Sequence, residues 1–152
     1  MGLNNLQGQG PNYVPAYQAS GTPFVTSSNG STVTTTPVCV KFPYVTRFFQ
    51  VTNTSSEVLR LGFSRAGVMG LGASVSGSAP HEKIADHDNY FVVSGSNGDG
   101  GGNTVRLELR CKELWIRADA NPVGFSLIAG MTGIHHTQFP ELTGSNGFQG
   151  IG

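Results

Sequence analysis

Between residues 104 and 111 the chain reads TVRLELRC, so that Val105, Leu107, Leu109 and Cys111 alternate strictly with Thr104, Arg106, Glu108 and Arg110. A period of two puts the first set on one face and the second on the other, which predicts a half-buried β-strand. Leu59, Leu61 and Phe63 repeat the pattern around Arg60 and Gly62. No stretch of comparable length shows apolar residues recurring at helical spacing, so the chain reads as all-β, a sandwich or a barrel.

Further strands are expected over 38–42, 46–53, 58–63, 90–94, 113–117 and 124–129. Residues 24–26 and 32–36 are extended segments around Asn29 and Gly30, a pair that closes tight hairpins, and are expected to pair with each other. The total is about eight strands. Between Phe63 and Tyr90 the chain turns to small residues and then PHEKIADHD, where Pro80 can open one or two helical turns. The glycine-rich run from Ser94 to Asn103 is expected to be a loop. Strands separated by such excursions, and not by uniform hairpins, favour a single jelly-roll sandwich. No internal repeat is present, which argues against propellers and solenoids. Residues 1–21 and 131–152 show neither period and are expected to be N- and C-terminal arms flanking a jelly-roll domain over 22–130.

At 152 residues the chain suffices for one domain with a core of its own, without a disulfide or a metal. Lys+Arg and Asp+Glu number 9 each, so no basic field draws the surface to phosphate backbones or anionic lipid, and no direct nucleic-acid partner is expected. Apolar runs fall well short of a membrane helix and MGLNNLQGQG lacks the regions of an export signal, so no membrane insertion and no secretion are expected. Charged residues are 12% of the chain, about half the usual share. A surface so poor in charge suits a subunit that stays packed against other protein. Cys39 and Cys111 make no disulfide framework and are expected as reduced, buried thiols.

The residues that carry chemistry form no catalytic or cofactor constellation. His81, Asp86, His87 and Asp88 offer nitrogen and oxygen ligands at a spacing that matches no zinc motif, and are read as a solvated loop. His135 and His136 are adjacent, which on an extended chain sends their rings to opposite sides. Gly100 to Gly102 lacks the Lys and the helix of a phosphate loop. Glu82, Asp86 and Asp88 sit where a fixed carboxylate spacing would be hard to hold. Asn29-Gly-Ser31 and Asn53-Thr-Ser55 match the glycosylation pattern but read as turns, and Leu6 stands where myristoylation wants Ser or Thr. No enzyme activity, metal or cofactor is expected. Trp115 shares its strand face with Glu113 and Arg117, so it is either covered by an arm or buried in a subunit contact. In the arms, Leu3, Leu6, Tyr13, Tyr17, Phe139 and Phe148 are the candidate anchors on neighbouring subunits.

The stretch Gly124-Phe-Ser-Leu-Ile-Ala-Gly-Met-Thr-Gly133, followed by Phe139-Pro-Glu-Leu-Thr-Gly-Ser-Asn-Gly-Phe148, resembles small capsid proteins of large icosahedral double-stranded DNA viruses, the algal viruses in particular, and among them the penton proteins. The resemblance covers the last thirty residues better than the domain. It implies a single jelly roll that forms a homopentamer at the fivefold vertices of a virion, with neighbouring major and minor capsid proteins as partners and assembly inside the host cell. It supplies no catalytic residues. The competing reading of the same composition is a carbohydrate- or receptor-binding β-sandwich using Asp86, Asp88, Asn89 and Tyr90.

Overall fold

A computed structural model describes residues 10–70, 89–95, 103–148 and 150–151. Their strands are β1 (Thr22–Val33), β2 (Val38–Lys41), β3 (Tyr44–Asn53), β4 (Leu59–Gly62), β5 (Phe91–Val93), β6 (Thr104–Leu107), β7 (Glu113–Ala118) and β8 (Val123–His135). Two antiparallel sheets pack as a sandwich, one in the order β1-β8-β3-β6 and the other β2-β7-β4-β5.

The core between the sheets is built by alternation. Phe125, Leu127, Ala129 and Met131 of β8 and Phe49 and Val51 of β3 face Leu114 and Ile116 of β7 and Leu59 and Leu61 of β4, all buried. In β7 the inward Leu114, Ile116 and Ala118 are fully buried while Glu113, Trp115 and Arg117 between them are half-buried. Phe24 and Phe42 close one end of the core edge to face, with centroids 5.0 Å apart.

Four expectations need correction. The two segments around Asn29 and Gly30 do not form a hairpin: 24–26 and the first two residues of 32–36 belong to one strand, β1, which pairs with β8 on both flanks, Ser28 opposite Phe125 and Val33 opposite Val123. Five residue steps on β1 therefore face two on β8, a bulge in the sense that extra residues on one strand oppose fewer on its partner. The strand read over 104–111 ends at Leu107, and Leu109, expected in the core, is 42% exposed. The ladder of β6 with β3 stops at Phe49 opposite Leu107, next to the stretch where the register of β3 with β8 breaks between Tyr44 and Thr46 and again between Thr46 and Phe48. Thr46 is fully buried there, and its hydroxyl adds to the backbone bond that Thr46 N–H donates to the Cys111 carbonyl at 2.9 Å. The hydroxyl donates toward the Leu109 and Cys111 carbonyls at 2.8 and 3.2 Å and accepts the Cys111 N–H at 3.0 Å.

The last strand continues six residues past Ala129 to His135, so Met131–His135, expected to open the C-terminal arm, are part of the first sheet, with Ile134 fully buried. Thr132 supports this extension, its hydroxyl donating to the Val45 carbonyl at 2.8 Å. Two short helices also escaped the periodicity argument, α1 (Val14–Gln18) and α2 (Arg65–Met69). Five residues are too few to display a helical period. Ser64 caps α2 by accepting the Gly67 N–H at 2.9 Å, and Gly70 ends it at φ 66, a left-handed conformation that glycine adopts without strain. The helical turns expected after Pro80 lie outside the described residues, as does the central part of the glycine-rich loop.

Candidate assembly surfaces

The outer face of the first sheet follows from its register. Val25 lies opposite Ile128, Ile128 opposite Gln50, and Gln50 opposite Arg106, with Pro23, Gly130 and Phe48 in the next row. Val25 is 70% and Ile128 42% exposed, so two neighbouring apolar side chains stand in solvent. Phe48 lies across Gly130, where any side chain would run into its ring. The Arg106 guanidinium covers the other side of that ring, 3.9 Å from its centroid, and bonds Glu108 at 2.8 Å. Apart from that pinned arginine, the side chains in these two rows are uncharged.

The N-terminal segment crosses the same sheet. Arg110 donates to the Pro11 carbonyl at 2.8 Å, Arg47 of β3 donates to the Ala19 carbonyl at 2.8 Å, and Gly21 lies backbone to backbone on Gly130 of β8. Tyr17 bonds the Pro11 carbonyl at 2.6 Å and lies 5.3 Å from the Arg110 guanidinium, while Tyr13 and Val14 stay exposed. A shallow groove of about 340 Å³ opens between Val14, Tyr17, Arg47, Glu108 and Arg110. No residue of α1 is buried, so the segment rests on the sandwich without completing its core. Of the expected anchors, Tyr17 is engaged within its own chain, Tyr13 is free for contact, and Leu3 and Leu6 lie outside the described residues.

The outer face of the second sheet differs in character. Trp115 sits in register between Cys39 of β2 and Gly62 of β4, and its indole N–H bonds Glu113 Oε1 at 3.1 Å. Arg60 and Arg117 are cross-strand neighbours whose repulsion is relieved separately: Arg60 pairs with Asp119 and lies 4.3 Å over the Tyr90 ring, and Arg117 donates to the Thr35 carbonyl at 2.7 Å. The Tyr90 face is thus occupied by a guanidinium, which leaves little of it for a sugar.

The C-terminal segment is stitched to its own domain. Lys112 donates to the Phe139 carbonyl at 3.2 Å and pairs with Glu141 at 2.7 Å, Leu142 packs on the core, and Ser64 donates to the Ile151 carbonyl at 2.7 Å. Phe139 and Phe148, expected to reach neighbours, are half-buried in this segment.

Cys39 and Cys111 are free thiols, Cys111 buried as expected but Cys39 only half-buried at its place on β2 beside Trp115. Burial pushes both up from an ordinary 9.0 to about 12, helped at Cys39 by the Glu113 carboxylate and opposed at Cys111 by its bond with Thr46. The His135 and His136 rings do not diverge as on an extended chain but lie 4.3 Å apart, because the strand ends at His135 and a 3-10 turn begins at His136. His81, Glu82, Asp86, His87 and Asp88 lie outside the described residues. Among the described residues no three metal-ligating side chains gather, and no helix is long and apolar enough to cross a membrane.

Phe48, Val25 and Ile128 are surface residues that the sequence pattern does not pick out, whereas Arg106 lies on the outer face where the alternation puts it. The Phe48-Phe49 pair carried a signal, since adjacent strand residues cannot both face inward, but choosing between them needs the register with Gly130. No family model matches the chain, and no curated protein or solved structure does.

Proposed function

We propose that the chain is a structural capsid subunit, a penton protein whose single jelly roll forms a homopentamer at the fivefold vertices of an icosahedral virion. The observation that carries this reading is the strand order. β1 pairs with β8, β2 with β7, β3 with β6 and β4 with β5, a nested antiparallel ribbon whose two halves have been rolled into two sheets. That is the arrangement a jelly roll would give, and capsid proteins are among the proteins that use it. The resemblance of residues 124–148 to penton proteins points the same way.

The surfaces fit self-association by unlike contacts. One outer face carries the exposed aliphatic pair Val25 and Ile128 beside Phe48 and its pinned Arg106, and the other carries Arg60 and Arg117 with Trp115 and Tyr90, so a head-to-tail contact would join different faces, and such contacts close into rings or run on as filaments. With 12% charged residues, the contacts should be insensitive to salt, which screens exposed charges above all. Neighbouring capsid proteins complete the partner list, and the site of assembly is the host cell interior.

Sedimentation of the purified chain at low and high salt tests the reading. The same closed assembly is expected in both. A monomer under both conditions at high protein concentration, or a dimer, contradicts it.

A further inference from the structure

A sheet edge exposes a row of unpaired N–H and C=O groups, and proteins guard such edges with shortness, charge, proline or a cover. Three of the four edges here are guarded. β2 has four residues and ends in Lys41, β5 has three, and β6 has four with Arg106 among them. The fourth, β1, runs twelve residues as TPFVTSSNGSTV with no charge, and among the described residues its only hydrogen-bonded strand neighbour is β8. Pro23 guards only its start and the bulge follows Ser28, so residues 24–28 are a regular, open edge, with Val25 70% exposed upon it.

The chemistry of such an edge selects an extended, uncharged backbone. The chain itself supplies one. No Asp, Glu, Lys or Arg occurs before Lys41, so residues 1–9, MGLNNLQGQ, carry no charged side chain. Their point of departure is known from the segment that follows them. From Thr22 at β1, residues 21 to 11 cross the sheet outward over Gly130 of β8, Arg47 of β3 and Arg110 beyond β6. Pro11 therefore lies toward the flank opposite the open edge, and the chain that precedes Gly10 starts from there. Residues 1–9 span roughly 30 to 32 Å when extended, against about 14 Å across a four-stranded sheet. Reaching their own β1 would require doubling back over the segment that precedes it. Reaching the β1 of the next subunit requires only that the chain continue outward.

We propose that residues 3–9 of one copy add as a strand to the open edge of β1, along residues 24–28, of the next copy. This deepens the head-to-tail reading above and rests on it.

The test uses full-length chains. A chain carrying Leu6→Cys is mixed with a chain carrying Val25→Cys, a short bis-maleimide is added, and crosslinked peptides are read by mass spectrometry against each variant alone as background from Cys39 and Cys111. A 6-to-25 crosslink between the two chains is expected. A second variant, Val25→Lys, alters an exposed side chain and should keep the native far-ultraviolet circular dichroism while raising the concentration needed for assembly about tenfold or more. A ring of five that forms without the crosslink and is indifferent to Val25→Lys overturns the strand addition and leaves the pentamer standing. The crosslink in an assembly of another size supports the strand addition and overturns the pentamer. A crosslink that forms only within a doubly substituted single chain shows the segment folded back on its own edge and overturns the proposal.

Discussion

The ring of Phe48 occupies the space that a side chain on residue 130 would need, and glycine at that position is what lets the ring lie against β8 with Arg106 stacked over it. Two residues from neighbouring strands thus share one site. Gly130→Val should force Phe48 off the sheet and destabilise the chain by about 1 to 3 kcal/mol. If the clash is the cause, Gly130→Ala should cost less in a Phe48→Ala background than alone, a coupling that a double-mutant cycle in denaturant measures directly. Additive effects would show that the two residues act independently.

Thr46 provides a second check, inside the core. Thr46→Val keeps the volume but removes the hydroxyl that serves Cys111 N–H and the Leu109 carbonyl. Leaving buried backbone groups without partners should cost about 1 to 3 kcal/mol. The denaturation midpoint should fall with an unchanged slope, since the surface exposed on unfolding stays the same.

How far the sequence could be read depended on whether a pattern stayed local. Leu114 and Ile116 are legible because the alternation of β7 runs through unbroken ladders, Leu114 opposite Val40 of β2 and Ile116 between Val38 of β2 and Leu61 of β4. Leu109 follows the same alternation but lies past the end of the β3–β6 ladder at Leu107, and the Thr46 hydroxyl that holds its carbonyl comes from a residue 63 positions away, which leaves no mark near residue 109. Asn29 and Gly30 carry a hairpin signal, yet β8 runs thirteen residues and pairs with both flanks, so a long-range ladder prevailed over a short-range turn preference. The candidate surfaces were less legible than the fold. The exposed pair Val25 and Ile128 arises from two segments a hundred residues apart, and only register brings them together.

The two terminal segments should differ in what they contribute to an isolated subunit. Residues 139–152 supply Leu142 to the core and the Ile151 carbonyl to Ser64, whereas α1 buries nothing. Deleting 139–152 should lower stability by about 1 to 3 kcal/mol, and deleting 1–20 should shift the melting temperature of the monomeric subunit by less. Thermal unfolding of both deletions decides it. A larger loss from the N-terminal deletion would mean that segment belongs to its own sandwich.

The thiols define a window in pH. Both hold their protons to about 12 in the fold, while the unfolded chain releases them near the ordinary 9.0. The folded state then binds more protons than the unfolded one between those values, so the thiols' contribution is complete below about 9 and is lost as pH rises toward 12. Melting temperatures from pH 8 to 11 should fall less steeply in Cys111→Ala than in the native chain. Parallel slopes would show that the buried thiol does not drive the loss. At pH 8 both cysteines should also react slowly with a thiol reagent until the chain is unfolded, because the thiolate is the reactive form.

The central claim, that this sandwich is a ring-forming shell subunit, is tested most directly by the native mass of the purified full-length chain. A single species at five times the 16.0 kDa chain mass is the expected result. A predominant mass of two chains, or of one chain at every concentration reached, would contradict it.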